Sequence, residues 1–348
     1  MFHPRQLAAA FALLFLALTA AAEDAGGKLD DGLDGLDKKY AVFVRMEDQL
    51  FKKGGDFEKF CADNSKARRS EMRRRVLETL RTKADASWQQ VAGKVKALEK
   101  DGSVQDVTRF WIVNGFACEA TGKACRELAA DKAVSFVYLQ RGPARQQRAE
   151  APGQLSDEQK QTYISILKDW KDDADRPLGK ELEIPWNLKQ LQADQVWTKE
   201  KITGKGVVVA VADTGLLMIP PLMQALWRNP KEEINGKDDD GNGFVDDLFG
   251  YDFAAQGPFV LGDSGVPHGS ACAGIIAGRP LNDKSLITGV APRARVMMLR
   301  GMGYLRSYEY ALANGADVIS MSYMWVNVEL GNYRGVFRLA HEHLTAGG

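Results

Sequence analysis

Apolar and polar positions along the first third of this chain change period several times. Tyr40-Ala-Val-Phe-Val-Arg-Met46 is a short β-branched and aromatic run and predicts a strand. Between about Lys66 and Lys100 the spacing becomes helical: Met72, Val76, Leu77 and Leu80 form an apolar stripe. Arg68, Arg69, Arg73, Arg74 and Arg75 fall on the solvated face of that helix. Asp101-Gly102 ends it. Two strands follow, Val104 to Asn114 and Gly115 to Thr121, joined at Asn114-Gly115, a strong hairpin signal. Lys123 to Ala130 reads as a short helix and Ala133 to Gln140 as a last strand. The order strand, helix, strand, strand, helix, strand is the split, ferredoxin-like α+β arrangement.

The pattern then changes. Residues 142–185 are rich in Pro, Gln and charge and read as a linker. One helix interrupts it, opened by the capping-box-like Ser156-Asp-Glu-Gln159 and carrying Tyr163, Ile166, Leu167 and Trp170. From residue 186 onward apolar strands alternate with helical stretches: strand 206–213, a helix after His268, strand 294–299, a helix around 304–314, strand 317–322. That alternation predicts a parallel α/β sheet with flanking helices.

Composition bounds the possibilities. A chain of 348 residues has room for two or three domains. Lys+Arg and Asp+Glu number 46 each, so zero net charge offers nothing for nucleic acid or a membrane surface to recognise. The first 22 residues differ in kind. His3 and Arg5 precede an apolar run from Leu7 to Ala22, shorter than the ~20 residues a spanning helix needs, and Ala20-Ala21-Ala22 suits a cleavage site. Residues 1–22 therefore read as a signal peptide, 23–37 as a Gly- and Asp-rich spacer, and the protein as secreted or periplasmic. Cys118 and Cys125 are spaced compatibly with a bridge in such a compartment, and equally with two free thiols. His341 and His343 stand two apart on a helix, so they share no face for a metal.

Two short blocks carry chemistry. Val-Ala-Asp213-Thr214-Gly215 closes the apolar run that begins at Gly206. In open α/β sheets ligands gather at strand carboxyl ends, where a working carboxylate belongs. His268-Gly-Ser-Ala-Cys-Ala-Gly274 follows, and its small residues let a helix lie close to the sheet with the imidazole over the strand ends. An acid followed by a His is one chain order in which a Ser-His-Asp triad is delivered. Gly262-Asp-Ser264-Gly265 imitates a nucleophile motif but lies on the loop feeding that helix and reads as a turn.

Asn235-Gly-Lys-Asp-Asp-Asp-Gly-Asn-Gly-Phe-Val-Asp-Asp247 is a candidate calcium loop. Asp238, Asp240, Asn242 and Gly243 match positions 1, 3, 5 and 6 of a twelve-residue calcium loop, the Phe244 carbonyl position 7 and Asp246 position 9. Phe249 stands where the bidentate Glu is usual, and Asp247 is the candidate to compensate. Hard oxygen donors of this kind suit calcium better than zinc.

These segments resemble the subtilisin-like serine peptidases. Phe110-Trp-Ile-Val-Asn-Gly-Phe-Ala117 with Val134-Ser-Phe-Val-Tyr-Leu-Gln-Arg141 is similar to their inhibitor-type propeptide. Trp186 to Trp197, the Asp213 block, the His268 block, Gly289-Val-Ala-Pro292 and Asp317-Val-Ile-Ser-Met-Ser322 resemble the opening half of the catalytic domain. The resemblance implies a propeptide over 38–141 acting as intramolecular inhibitor and chaperone, and the N-terminal part of a catalytic domain over 186–348. It further implies Asp213 as the orienting acid, His268 as general base, and protein or peptide substrates. The chain departs from the family at Ser270 and Ala271, where Thr and a second His are usual, and at Tyr323-Met324-Trp325, where Leu-Gly-Gly usually lines the cleft. Cys272 stands where some members carry a Cys beneath the His. The oxyanion Asn and the nucleophilic Ser are not in this chain, so the resemblance implies an inactive N-terminal portion of a precursor. A truncated product acting as an inhibitor or binding module through residues 38–141 is the alternative.

Overall fold

The computed structural model describes residues 27–141, 153–170, 182–262, 266–280, 287–324 and 331–348. The expected signal peptide, parts of the linker, Ser264 and Trp325 lie outside the described residues.

The N-terminal body contains β1 (Lys39–Met46), α1 (Asp56–Asp63), α2 (Arg69–Lys100), β2 (Val104–Phe110), β3 (Gly115–Thr121), α3 (Gly122–Ala129) and β4 (Val134–Leu139). Its sheet has the order β2-β3-β1-β4 with every pair antiparallel. This is the split arrangement that the periodicity predicts, with α1 added. In α2 the buried positions Met72, Val76, Leu80, Ala84, Ser87, Val91, Val95 and Leu98 recur every three or four residues, so one continuous face meets the core. Thr121 caps α3, its hydroxyl accepting from Ala124 N at 3.2 Å. The Cys118 and Cys125 thiols are free and buried. Burial pushes the Cys125 thiol up to about 12, and the Cys118 thiol higher still.

The hairpin differs from expectation. β2 ends at Phe110, which faces Gly115, so four residues rather than an Asn-Gly pair make the connection. Packing decides this: Ile112 and Val113 are wholly buried, and Asn114 points inward. Its amide donates to Asp48 O at 2.9 Å and Ser87 Oγ at 2.8 Å.

The second body begins with α4 (Asp157–Asp169), opened by the expected capping box at Ser156. Then come α5 (Trp186–Gln190), α6 (Ala193–Lys199), β5 (Val208–Asp213), α7 (Pro220–Met223), β6 (Gly250–Asp252), α8 (His268–Ala277) and β7 (Arg295–Arg300). α9 (Leu305–Ala313), β8 (Val318–Ser320), a 3₁₀ turn at Gly331–Tyr333 and α10 (Arg334–Ala346) complete it. The sheet order is β6-β7-β5-β8, all parallel, with β5 flanked on both sides as a buried parallel strand requires. β5 supplies this with Val209, Ala210, Val211 and Ala212, all buried.

The two bodies share a core. Val42, Val44 and Phe116 of the antiparallel sheet pack with Val91, Val95 and Leu128 in one cluster. Phe43, Phe110, Ala117 and Tyr138 pack in another, with Leu305, Tyr308, Tyr333, Val336 and Phe337. The first set faces the body's own helices; the second meets α9 and α10. Polar contacts reinforce the joint at the 111–114 turn. Glu309 of α9 accepts from Trp111 N and from Ile112 N, the latter at 3.0 Å. His343 of α10 places Nδ1 on the Ile112 carbonyl oxygen and its ring 5.3 Å from that of Phe51. Both side chains are buried. Burial pushes the Glu309 carboxyl up to about 7 and the His343 imidazole down to about 4. Arg73 of α2 donates to Asp317 Oδ1 at 2.9 Å, while Asp317 Oδ2 accepts from Val208 N at 3.0 Å.

Candidate active site and acidic loop

β5 delivers Asp213 to the carboxyl end of the parallel sheet, and α8 begins at His268. His268 Nδ1 lies 2.8 Å from Asp213 Oδ1 and 3.0 Å from Oδ2. The acid is buried, 1 % exposed, while the imidazole is about half exposed. A carboxylate on Nδ1 favours the tautomer with its proton on Nδ1 and leaves Nε2 as the basic atom.

The surrounding backbone explains how the pair is held. Asp213 Oδ1 accepts from Thr214 N at 2.7 Å. The Thr214 hydroxyl accepts from Gly269 N at 3.0 Å and donates to Val266 O at 3.0 Å, joining the strand end to the helix start. Gly269 is required by proximity: a Cβ there would stand 2.6 Å from Gly215 O and 3.1 Å from Asp213 Cβ. Gly215 itself has φ +107°, a conformation L side chains rarely adopt. Ser270 Oγ accepts from Leu217 N at 2.8 Å, a structural bond that gives this position a use without a threonine. Arg300, at the end of β7, donates to Thr214 O at 3.1 Å and to buried Asp252 at 2.7 Å. That clamp is not signalled by any motif.

Cys272 lies one helical turn after His268, with Sγ 3.9 and 4.0 Å from the two ring nitrogens. Burial pushes its thiol up, so it stays protonated at neutral pH and is a poor nucleophile. On the opposite side of β5, the segment after β8 brings Tyr323 across to Gly303. Its hydroxyl accepts from Gly303 N at 3.0 Å and lies 3.1 Å from the Tyr308 hydroxyl, while Met324 is exposed.

The acidic loop folds on its own carboxylates. Asp238 accepts from Asn242 N at 3.0 Å and Gly243 N at 2.7 Å, Asp240 from Asn242 N at 3.0 Å, and Asn242 Oδ1 from Phe244 N at 2.7 Å. Asp246, at φ 52°, accepts through Oδ1 from Asn235 N and Gly236 N, both at 2.9 Å. Phe244 packs edge-on against Tyr251, Phe253 and Tyr310. Asp247 is wholly buried beside Asn229 and Asn242, and burial pushes its carboxyl up to about 7. The carboxylates of Asp238, Asp240 and Glu232 converge, with one oxygen of each within 4.8 Å of the others. Glu232 lies outside the Asp-rich motif, which is why residue spacing misses it. All these donors are oxygen, a set that fits calcium and not zinc.

An acid at a strand end thus faces an imidazole at a helix start over the carboxyl end of a parallel sheet. Residues 204–334 match the model of the subtilase family (Peptidase S8). It is 24 % identical over 209 residues to bacillopeptidase F of Bacillus subtilis (strain 168), covering 58 % of this chain and 13 % of that protein. Among solved structures, fervidolysin from Fervidobacterium pennivorans, a keratinolytic enzyme related to subtilisin, aligns over 91 % of this chain and 40 % of its own. The TM-score is 0.41 and the identity 17 %. MycP1 with its propeptide removed aligns over 45 % of each chain, with TM-score 0.29 and 25 % identity. The chain thus spans well under two thirds of the relatives it matches. No helix among the described residues is long and apolar enough to cross a membrane.

Proposed function

We propose that this chain carries the acid–base half of an exported serine endopeptidase that hydrolyses protein or peptide substrates. The observation that supports this best is the Asp213–His268 contact on a subtilase-family segment. In this reading Asp213 orients the imidazole and stabilises its protonated form. His268 Nε2 takes the proton from an attacking serine and returns it to the leaving amine. The serine is supplied by sequence outside these 348 residues, together with the oxyanion Asn, so the chain by itself does not turn over substrate.

The N-terminal body, residues 38–141, serves as an intramolecular inhibitor and folding chaperone; the core it shares with α9 and α10 supports that role. Residues 1–22 direct export and are removed, leaving a secreted or periplasmic protein. Calcium binds the acidic loop and stabilises the catalytic side.

The test is to sequence the source transcript beyond the codon for Gly348. The expected result is an open frame reaching Ala-Gly-Asn and then Gly-Thr-Ser, whose product hydrolyses peptides and loses about 10⁴-fold in kcat on Asp213→Asn. A stop codon directly after Gly348 refutes the catalytic claim. The remaining reading is then the inhibitor, tested by tight inhibition of a subtilase by residues 38–141.

A further inference from the structure

We propose that Glu232 is the missing carboxylate of the acidic loop: with Asp238 and Asp240 it forms a divalent-cation site of calcium-type chemistry. This deepens the calcium reading above and rests on it. The twelve-residue pattern leaves position 12 to Phe249, and in the fold Asp246 Oδ1 is engaged by the Asn235 and Gly236 backbone while its Oδ2 is buried without a hydrogen-bond partner. Glu232 fills the gap from the other side of the loop.

Glu232 carries an orphaned oxygen. Glu232 is 1 % exposed. Its Oε1 accepts from Asp239 N at 2.8 Å and Asp240 N at 3.1 Å, which fixes the carboxylate under the loop. Its Oε2 is buried and has no hydrogen-bond partner. Buried carboxylate oxygens are ordinarily hydrogen-bonded, ion-paired or metal-bound. One carboxylate oxygen each of Glu232, Asp238 and Asp240 lies within 4.8 Å of the others. Like charges gathered this closely are relieved by a cation between them or by taking up a proton.

Donor chemistry narrows the ion. Three carboxylates with no nitrogen or sulfur donor suit a hard cation, and a turn-rich Gly loop suits the adaptable coordination of calcium over the strict octahedron of magnesium. Asn229 buttresses the cluster, its amide 3.3 Å from both Asp240 Oδ2 and Asp247 Oδ1. The ion would therefore tie the 229–232 segment to the loop that seats Phe244 among Tyr251, Phe253 and Tyr310.

The test titrates Ca²⁺ into the full chain by calorimetry and follows its melting with and without chelator, for wild type, Glu232→Gln, Asp238→Asn and Asp239→Asn. Gln keeps the oxygen that accepts from Asp239 N and Asp240 N while removing the charge. Asp239 bonds to Asn235 and lies outside the cluster, so it is the control. The expected result is one calcium per chain, weakened at least about tenfold by Glu232→Gln and by Asp238→Asn but not by Asp239→Asn. No calcium uptake by wild type overturns both this site and the calcium reading. Wild-type uptake with unweakened binding in Glu232→Gln overturns the role of Glu232 alone. If Glu232→Gln does not fold, equal loss of binding in Asp238→Asn and Asp239→Asn overturns the assignment.

Discussion

The joint between the two bodies can be tested through the two buried titratable groups that grip Ile112. Glu309 has its carboxyl raised from an ordinary 4.5 to about 7, so its contribution is full below pH 4.5 and is lost as pH rises through 7. His343 has its imidazole lowered from 6.5 to about 4, so its contribution is full above pH 6.5 and is lost as pH falls through 4. Each displacement is worth about 3 kcal/mol at ~1.4 kcal/mol per pH unit, and both groups are buried enough for that conversion to stand. The two slopes oppose each other between pH 4.5 and 6.5, so together they leave stability nearly level there. Glu309→Gln removes one slope while keeping an acceptor for Trp111 N and Ile112 N. Urea unfolding of the full chain from pH 4 to 8, read by tryptophan fluorescence, should then show stability falling by about 3 kcal/mol as pH drops from 6.5 to 4. His343→Phe should show the reverse, a loss as pH climbs from 4.5 to 7. Variant profiles that run parallel to wild type would show that neither group couples the joint to pH.

Three further outcomes are expected. Gly269→Ala should destabilise the chain by about 1–3 kcal/mol, because the added methyl meets the Gly215 carbonyl at 2.6 Å, and calorimetric melting checks it. Methylmercury should modify Cys272 and displace the His268 ring 3.9 Å away; an unchanged His268 NMR signal in the mercurated protein would count against this. Asn114→Ala should cost about 2–4 kcal/mol by removing a buried amide bonded to Asp48 O and Ser87 Oγ, measured by denaturant unfolding.

Much of this architecture is legible in the chain because local patterns and global packing agree. The α2 stripe, the Ser156 cap and the β5 run each point to the element that forms. Asp213 and His268 are readable because each punctuates an apolar run at an element boundary. α1 escapes notice since its apolar face is only Phe57 and Phe60, half-buried against Phe51. The Asn114-Gly115 hairpin misleads because Asn114 is recruited into the core, a tertiary demand that overrides turn chemistry. Glu309 and His343 look like polar positions on amphipathic helices; their partners lie 197 and 231 residues away. Glu232 is hidden for the same reason, since its burial arises only when the loop folds back over it.

Asp317 bears on how the chain assembles over time. β5 and β8 must meet across about a hundred intervening residues, a closure that is entropically slow before any contact rewards it. Arg73, displayed on α2, holds one oxygen of Asp317 while the other receives the first amide of β5. The carboxylate is thus a jig, through which the antiparallel body sets the alignment of edge strand β8 on β5, the strand that ends in Asp213.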